Sequence, residues 1–294
     1  MKILLTGATG FLGSALARHW HAAGHELVLP TRAGSDTRRI AAIASAVDVV
    51  RLDSVEGLAA LVARSRPDAI VHTAASYGRR GEKALDLIEA NVRYGTALLQ
   101  AVLEAPGPRV TVLNTATVLA PQVSLYALSK NQFSQWGAAL ATQGGGALQF
   151  IDVRLQQMYG PGDDRSKFTT HVLEACRANE PRLALTEGEQ RRDFIHVDDV
   201  VQAYDHILGG RAEFAAADTI DVGSGEAPRM RDFAELARHV SGASTVLDFG
   251  AVPYRPNEAM LCVADTTRLK ALGWRPRFDL EAGLRHTLQR EQDS

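Results

Sequence analysis

Tyr126 and Lys130 stand four residues apart in the stretch "NTATVLAPQVSLYALSK", residues 114–130. On a helix that spacing puts a phenol and an ammonium on one face. A free phenol titrates near ~10, and a neighbouring ammonium lowers it toward working pH. Such a phenol can hand a proton to a carbonyl oxygen as general acid while the carbonyl carbon is reduced. The hydroxyls of Thr115, Thr117 and Ser124 are the candidates to hydrogen-bond that oxygen. The same pentapeptide spacing also occurs in helices that do no chemistry, so its meaning rests on the elements that position it.

Those elements alternate. Short β-rich runs at 2–6, 25–30, 47–52, 69–72, 109–114 and 148–154 are separated by amphipathic stretches at 12–23, 38–45, 55–64, 83–104 and 126–142. Strand–helix alternation with right-handed crossovers predicts an α/β fold, a doubly wound parallel sheet covered on both faces. The Tyr126 helix follows the fifth strand, where a sheet of this topology opens its active cleft. After Tyr159-Gly160-Pro161-Gly162 the elements shorten, punctuated by Pro181, Pro228, Pro253, Pro256 and Pro276. This predicts a nucleotide domain over 1–160 plus about 193–223, and a smaller C-terminal α/β substrate domain over 161–192 and 224–294. The last residues, 290–294, are expected to fray.

"KILLTGATGFLGSALARHW" reads as strand, Gly-rich turn and helix, with Gly7, Gly10 and Gly13 at G-x-x-G-x-x-G spacing. Glycine lets backbone amides approach a pyrophosphate, and the helix N-terminus supplies oriented N–H groups. An NAD site places an acid after the second strand, for the ribose 2′-hydroxyl. Here Thr31 and Arg32 stand instead, with Ser35, Arg38 and Arg39 behind them, and a guanidinium suits a 2′-phosphate. NADP(H) is therefore the expected cofactor, although Asp36 is placed to pair with one of the arginines. Asp53 lies where it can meet an adenine edge or cap a helix. Thr73, Ala74 and Ala75, ending the fourth strand, are small enough for a nicotinamide ribose to approach; His72 is read as structural.

The chain of 294 residues has a net charge of −2 and no basic block, which gives a nucleic-acid or membrane-surface role no support. Cys176 and Cys262 are isolated, so no disulfide framework or zinc site is expected. Met1–Leu5 is too short for a signal peptide and no run reaches membrane length, so a cytoplasmic location is expected.

Taken together, "TGATGFLG", Tyr126-x-x-x-Lys130, "NVRYGT", "MYGPG", "RRDFIHVDD" and "DTTRLKALGWRP" resemble the landmarks of the extended short-chain dehydrogenase/reductase family, over nearly the whole chain. The resemblance implies a Rossmann domain, a nucleotide-sugar substrate and a Ser/Thr–Tyr–Lys centre. "SYGRRGE", "DDRSKFTTHVL" and "VGSGEA" narrow it to the abequose-synthase-like branch. That branch reduces the 4-keto group of a nucleotide-linked 3,6-dideoxyhexose with NADPH, in deoxysugar and O-antigen biosynthesis. It favours Thr117 as the catalytic hydroxyl, with Thr115 and Ser124 as competitors. It implies cofactor contacts at Thr9, Phe11, Leu12 and Ser54 beside the residues above, and at Asn91, which either orders a water near Lys130 or bonds backbone. Lys167, Arg192 and Arg255 match diphosphate ligands, Arg191 being the solvent-facing neighbour of Arg192. Asn257 and Glu258 match ribose contacts, and Tyr77, Arg79 and Gln157 sugar contacts. The helices at 83–104 and 126–142 imply a homodimer.

Val118-Leu119 follow Thr117, where a 4,6-dehydratase of the family carries an acidic pair, so dehydration is not expected. No Cys near residues 114–126 serves a 3,5-epimerase. A reductase is the expectation. The alternatives are a nucleotide-sugar 4-epimerase with retained cofactor, and a non-catalytic NADP(H)-binding protein on the same scaffold.

Overall fold

The computed structural model describes residues 1–255 and 258–292. The chain folds into two units, Met1–Arg154 with Ile207–Ile220, and Leu155–His206 with Asp221–Ser294. The segment returning to the first unit is thus shorter than the expected 193–223, and residues 155–160 join the second unit.

The first unit is built on a seven-stranded sheet of order β11-β6-β5-β4-β1-β2-β3. Its strands are β1 (Lys2–Thr6), β2 (Glu26–Thr31), β3 (Asp48–Arg51), β4 (Ala69–His72), β5 (Val110–Thr117), β6 (Leu148–Leu155) and β11 (Ala217–Val222). The pairings β1–β2, β1–β4, β2–β3 and β4–β5 are parallel. A strand covered on both faces must be apolar along its length, and all four residues of β4 are buried. The reversal of strand order between β1 and β4 is the switch point at which such sheets bind ligands.

Helices α1 (Phe11–Ala22), α2 (Leu58–Ser65), α3 (Ala84–Ile88), α4 (Tyr94–Glu104) and α5 (Leu125–Gln143) belong to the same unit. Two glycines set α5 in place. A Cβ on Gly95 of α4 would come within 2.5 Å of the Phe133 ring, and one on Gly137 would overlap the Phe150 ring. Phe133 is fully buried edge-on to both Phe150 and His72. Burying a ring of this size stabilises by roughly 1.5–3 kcal/mol, and it fixes the helix that carries Tyr126 and Lys130.

Three elements differ from expectation. Residues 38–45 form one 3₁₀ turn, Arg38–Ile40, and further turns rather than a helix; Arg38 turns back to Asp36, which competes with helix propagation. The long helix at 83–104 is interrupted by a π-helical turn, Glu89–Arg93, centred on Asn91. β11 carries no strong strand signal, because its outer residues are polar and its alternation lasts only through Ile220 and Val222.

The second unit holds three short parallel pairs: β7 (Gln157–Tyr159) with β10 (Phe194–His196), β8 (Arg182–Leu185) with β12 (Val246–Phe249), and β9 (Arg191–Arg192) with β13 (Leu261–Cys262). Its helices are α6 (Phe168–Arg177), α7 (Val197–Gly209, whose end lies in the first unit), α8 (Met230–Ser241), α9 (Thr267–Ala271) and α10 (Leu280–Gln292). Residues 290–292 continue α10 and do not fray; 293 and 294 lie outside the described residues. Tyr159, Phe194, Phe233 and Leu284 centre its core.

The acids of "RRDFIHVDD" hold backbone. Buried Asp193 accepts from Ser224 N and Oγ, Gly225 N and Ala264 N. Asp199 accepts from Arg277 N and Phe278 N, and its carbonyl from Trp274 Nε1. A buried carboxylate is tolerated where amides satisfy it, and here two such acids tie distant loops to the β9–β10 junction and to α7.

Candidate active site

The Gly-rich turn joins β1 to α1. Gly7 has φ +73°, in the left-handed region, and a Cβ there would sit 2.6 Å from Ala74 N and 2.7 Å from Thr73 Oγ1. A Cβ on Gly13 would overlap the Gly7 carbonyl oxygen, whereas one on Gly10 would meet only that oxygen, at 3.2 Å. Gly7 and Gly13 therefore serve packing, while Gly10 leaves open the approach to the helix end. The first turn of α1 has no side-chain cap and no acid, so its N–H groups are oriented outward for an anion. Leu12 is buried beneath the turn; Thr9 and Phe11 are half-buried on it. This cradle fits the pyrophosphate of a dinucleotide.

At the end of β2, Arg32 is exposed and makes no ion pair among the described residues, beside half-buried Thr31. Arg38 is engaged by Asp36, with Nη2–Oδ2 at 2.6 Å. Asp53 accepts from Ala33 N at 2.6 Å and from Arg51 Nε at 2.7 Å. Those two bonds, the amide first, hold its carboxyl below the usual range. One oxygen thus pins the loop after β2 and the other holds Arg51 at the end of β3, and Asp53 caps no helix. Ser54 precedes a 3₁₀ turn without capping it. Thr73 donates to the Thr6 carbonyl at 2.8 Å; Ala74 and Ala75 are half-buried beside the turn.

Asn91 is fully buried in the π turn, a distortion frequent at functional sites. Its Oδ1 accepts from Ser76 N at 2.7 Å, and its Nδ2 donates to Ser76 O and Ser129 Oγ, both at 2.9 Å. The amide is consumed by protein, so of the two readings of Asn91 the backbone bond is the one seen. It ties the loop after β4 to α5.

Thr117 ends β5, and its Oγ1 accepts from Leu119 N at 3.2 Å. Thr115 lies two residues earlier, hence on the same face of the strand, and is likewise half-buried. Ser124 is the N-cap of α5 and accepts from Ala127 N at 3.1 Å, which gives it a structural task. Tyr126 and Lys130 follow on the first turns of α5.

Burial pushes the Tyr126 phenol well above its ordinary value; Tyr77 adds to the rise and the Arg79 guanidinium opposes it. The rings of Tyr77 and Tyr126 stack with centroids 4.9 Å apart, and Arg79 lies 5.4 Å over Tyr77. Tyr77 thus stands over the phenol, with Arg79 over Tyr77.

Lys130 is 1% exposed. Burial lowers its pKa to about 8, with the Asp152 carboxylate pulling the other way. Buried His72 is pushed down to about 3, by burial first and then by Lys130, and so is neutral. Its Nδ1 lies 2.7 Å from Thr6 Oγ1 while Nε2 has no partner, in keeping with a structural role.

Asp152 and Asn114 were not singled out from the sequence. Asp152, in β6, is 9% exposed and accepts from Asn114 Nδ2 of β5 at 2.6 Å. The signal was present as an acid inside the apolar run "LQFIDVRL", since such residues are almost never buried without a partner.

The remaining candidates lie in the second unit. Arg192 is ion-paired to Glu258, so two candidate ligands hold each other, and its Nη1 donates to Arg191 O. Arg191 is exposed, as expected, and donates to Ala227 O. Lys167 Nζ lies 2.9 and 3.0 Å from the two oxygens of buried Asp163. Arg255 is exposed and its carbonyl accepts from Glu258 N; Asn257 lies outside the described residues. Gln157 is half-buried in β7, its N–H on the Asp193 carbonyl. Among the described residues one group has metal-ligand spacing, His196, Asp198 and His286. His196 Nδ1 accepts the Asp198 N–H and so leaves the proton on Nε2, which faces His286 Nδ1 at 3.4 Å. That tautomer suits a histidine–histidine hydrogen bond rather than a cation.

The chain is similar to known proteins along its whole length. CDP-abequose synthase of Salmonella typhimurium is 31% identical over 300 aligned residues, covering 98% of this chain and 97% of the relative. CDP-abequose synthase of Salmonella muenchen is 27% identical, covering 99% and 98%. The solved UDP-glucose 4-epimerase of Thermotoga maritima superposes with a TM-score of 0.84 at 20% identity, covering 100% of this chain and 99% of that one; at that identity the likeness is one of fold. Residues 3–223 match a family pattern that runs from β1 through β11, and the chain belongs to the NAD dependent epimerase/dehydratase family.

Proposed function

We propose that the protein is an NADPH-dependent reductase of the 4-keto group of a nucleotide-linked deoxyhexose, acting as CDP-abequose synthase does. The observation that carries this reading is Thr117, Tyr126 and Lys130 at the end of β5 and the start of α5, followed after Thr117 by Val118 and Leu119 rather than acids. A centre that can protonate an oxygen but holds no second acid–base pair there is equipped for reduction and not for dehydration. Identity across the full length of CDP-abequose synthase supports the same chemistry.

The α1 N-terminus and Gly10 hold the pyrophosphate, and Arg32 meets the 2′-phosphate that sets NADP(H) apart. When bound, the nicotinamide supplies hydride. Thr117 Oγ donates to the substrate O4 and aims the carbonyl. Tyr126 gives its proton to O4 as carbon 4 becomes tetrahedral. Lys130 keeps a positive charge beside the ribose and, with the cofactor in place, opposes the rise that burial imposes on the phenol. Tyr77 and Arg79 cover the sugar, and Gln157 bonds it. Arg192, Arg255 and Lys167 bind the diphosphate, Arg192 by exchanging Glu258 for phosphate oxygens and releasing that carboxylate to a ribose.

The reading also places the protein in the cytoplasm, where its substrates are made. Among the described residues no helix is long and apolar enough to cross a membrane. It makes the protein a homodimer as well, supported by exposed Leu85 and Ile88 on α3 and Leu128 and Trp136 on α5, two helices that pack together.

The test follows nicotinamide absorbance with a panel of nucleotide-linked 4-keto sugars, NADPH and NADH in parallel. Oxidation of NADPH by a CDP-linked 4-keto-3,6-dideoxyhexose is expected. Interconversion of C4 epimers without consumption of added cofactor would replace the reading with a 4-epimerase; cofactor binding without turnover would make the chain a non-catalytic NADP(H)-binding protein.

A further inference from the structure

Residues 76–82, between β4 and α3, carry the ring that lies on the proposed acid, and this loop is closed on itself. The Glu82 carboxylate closes it: one oxygen accepts from Ser76 Oγ at 2.9 Å and the other from Arg80 N at 2.7 Å. Between those anchors the chain doubles back at Gly78 and Gly81, both with left-handed φ, +68° and +86°. The root of the loop is fixed separately. Buried Asn91 bonds both the N–H and the carbonyl of Ser76 and donates to Ser129 Oγ, which in turn donates to the Tyr126 carbonyl at 2.9 Å. One amide thus sets the backbone of Ser76 against the backbone of Tyr126. Beyond that root the Tyr77 ring stacks on the Tyr126 ring, with centroids 4.9 Å apart and 29° between the planes. Tyr77 is nevertheless 47% exposed. A side chain with that much solvent around it has other rotamers open to it unless the backbone beneath is held.

We propose that Glu82 is a positioning residue that acts through Tyr77: by closing loop 76–82 it holds the Tyr77 ring against Tyr126, which fixes the phenol for proton transfer and keeps water from one of its faces. Asn91 and Ser129 set the Tyr126 backbone, but its ring is oriented by what packs on it. A catalytic group displaced by about 1 Å can lose roughly a hundredfold in rate, so a wall against the ring has a task in catalysis. The fold gives Glu82 no other task. Helix α3 starts just after it with an acid of its own, Asp86, which accepts from Lys83 N at 2.8 Å. An acid whose two oxygens both bond within one short loop serves the shape of that loop, and the loop serves the ring it carries. The role of Tyr126 as acid rests on the reductase reading; the link from Glu82 to the stacked rings does not, and the experiment separates them.

The chain has six tyrosines, few enough to resolve by 19F NMR when the full-length protein is labelled with 3-fluorotyrosine. The Tyr77 and Tyr126 signals are assigned by their loss in Tyr77→Phe and Tyr126→Phe. Tyr77→Leu then gives the Tyr126 shift with the stacked ring removed. In Glu82→Gln, which keeps the shape but trades one acceptor oxygen for a donor amide, the Tyr126 signal should move toward that value. In steady-state assays with a CDP-linked 4-keto-3,6-dideoxyhexose, kcat should fall about tenfold in Glu82→Gln, the size of a small misplacement of a catalytic group. The KM for the sugar should change less, and NADPH affinity should not change. The double variant Glu82→Gln/Tyr77→Leu should be no slower than Tyr77→Leu alone, because a residue that acts through another adds nothing once the other is gone. An unmoved Tyr126 signal in Glu82→Gln overturns the proposal, whatever the activity. So does a moved signal with kcat unchanged, or a double variant whose losses multiply. If the signal moves but no 4-keto sugar is turned over by the wild type, the link to the rings stands and the reductase reading fails. Should Glu82→Gln not fold, Ser76→Ala removes one of the two bonds to the carboxylate. It should move the Tyr126 signal in the same direction by less, and no movement there is equally decisive against the proposal.

Discussion

At the scale of single residues, the site divides into groups that do chemistry and groups that hold them. Tyr126 is the proposed acid. Tyr126→Phe removes the proton and keeps the ring that stacks on Tyr77, so turnover should drop by about a hundredfold or more. NADPH binding, read by fluorescence titration, should persist; undiminished turnover would remove Tyr126 from the mechanism. Lys130 carries a pH signature. Its folded value, about 8, lies below its ordinary 10.5, so between those values the unfolded chain binds a proton that the folded chain does not. Stability from this group is therefore present above about pH 10.5 and lost as pH falls through about 8. In urea titrations Lys130→Met should be more stable relative to the wild type at pH 7 than at pH 10. A gap that does not change with pH would mean that the buried amine is not perturbed.

At the scale of elements, the β1–α1 turn separates two uses of glycine. Gly13→Ala drives a methyl into the Gly7 carbonyl; overpacking of this kind typically costs about 1–3 kcal/mol. Gly10→Ala meets only one oxygen, at 3.2 Å, so it should leave the unfolding midpoint nearly unchanged and weaken dinucleotide affinity instead. Equal stability losses in the two variants would contradict this division. The elements near the site were largely legible. β1, α1, β4 and α5 follow their sequence patterns closely, because their apolar residues face a sheet covered on both sides. The helix expected at 38–45 was not found, since Asp36 and Arg38 engage each other and the chain there needs only to turn. The π turn at Asn91 was invisible, because one extra residue in a helical turn leaves no mark on hydrophobic periodicity.

At the scale of the whole molecule, the first unit exposes apolar side chains on α3 and α5. Leu85 is 77% exposed and Trp136 54%. If these helices form the proposed homodimer, Trp136→Glu should shift sedimentation equilibrium from dimer to monomer. The circular dichroism spectrum should stay unchanged, as the residue is already in solvent. A wild-type protein that sediments as a monomer at micromolar concentration would remove the dimer from the proposal. The division into two units also fell differently from the sequence reading, with only Ile207–Ile220 returning to the first. The boundary runs through α7, a single uninterrupted helix, and a helix carries no sequence mark where its packing partners change.

What the sequence determined by itself is local. Gly7, Gly10 and Gly13 at their spacing, Tyr126 four residues before Lys130, and the alternation of strand and helix are patterns of neighbours along the chain. They were enough for the fold class and for naming the residues proposed to move a proton. Tertiary structure decided which side chains are already committed: Asn91 to Ser76 and Ser129, Asp53 to Ala33 and Arg51, Ser124 to the cap of α5, Arg192 to Glu258. It alone brought Asn114 of β5 to Asp152 of β6 across 38 positions of sequence. The physical reason is that desolvation and charge act through space and depend on burial, and burial belongs to the packed sheet rather than to any stretch of chain.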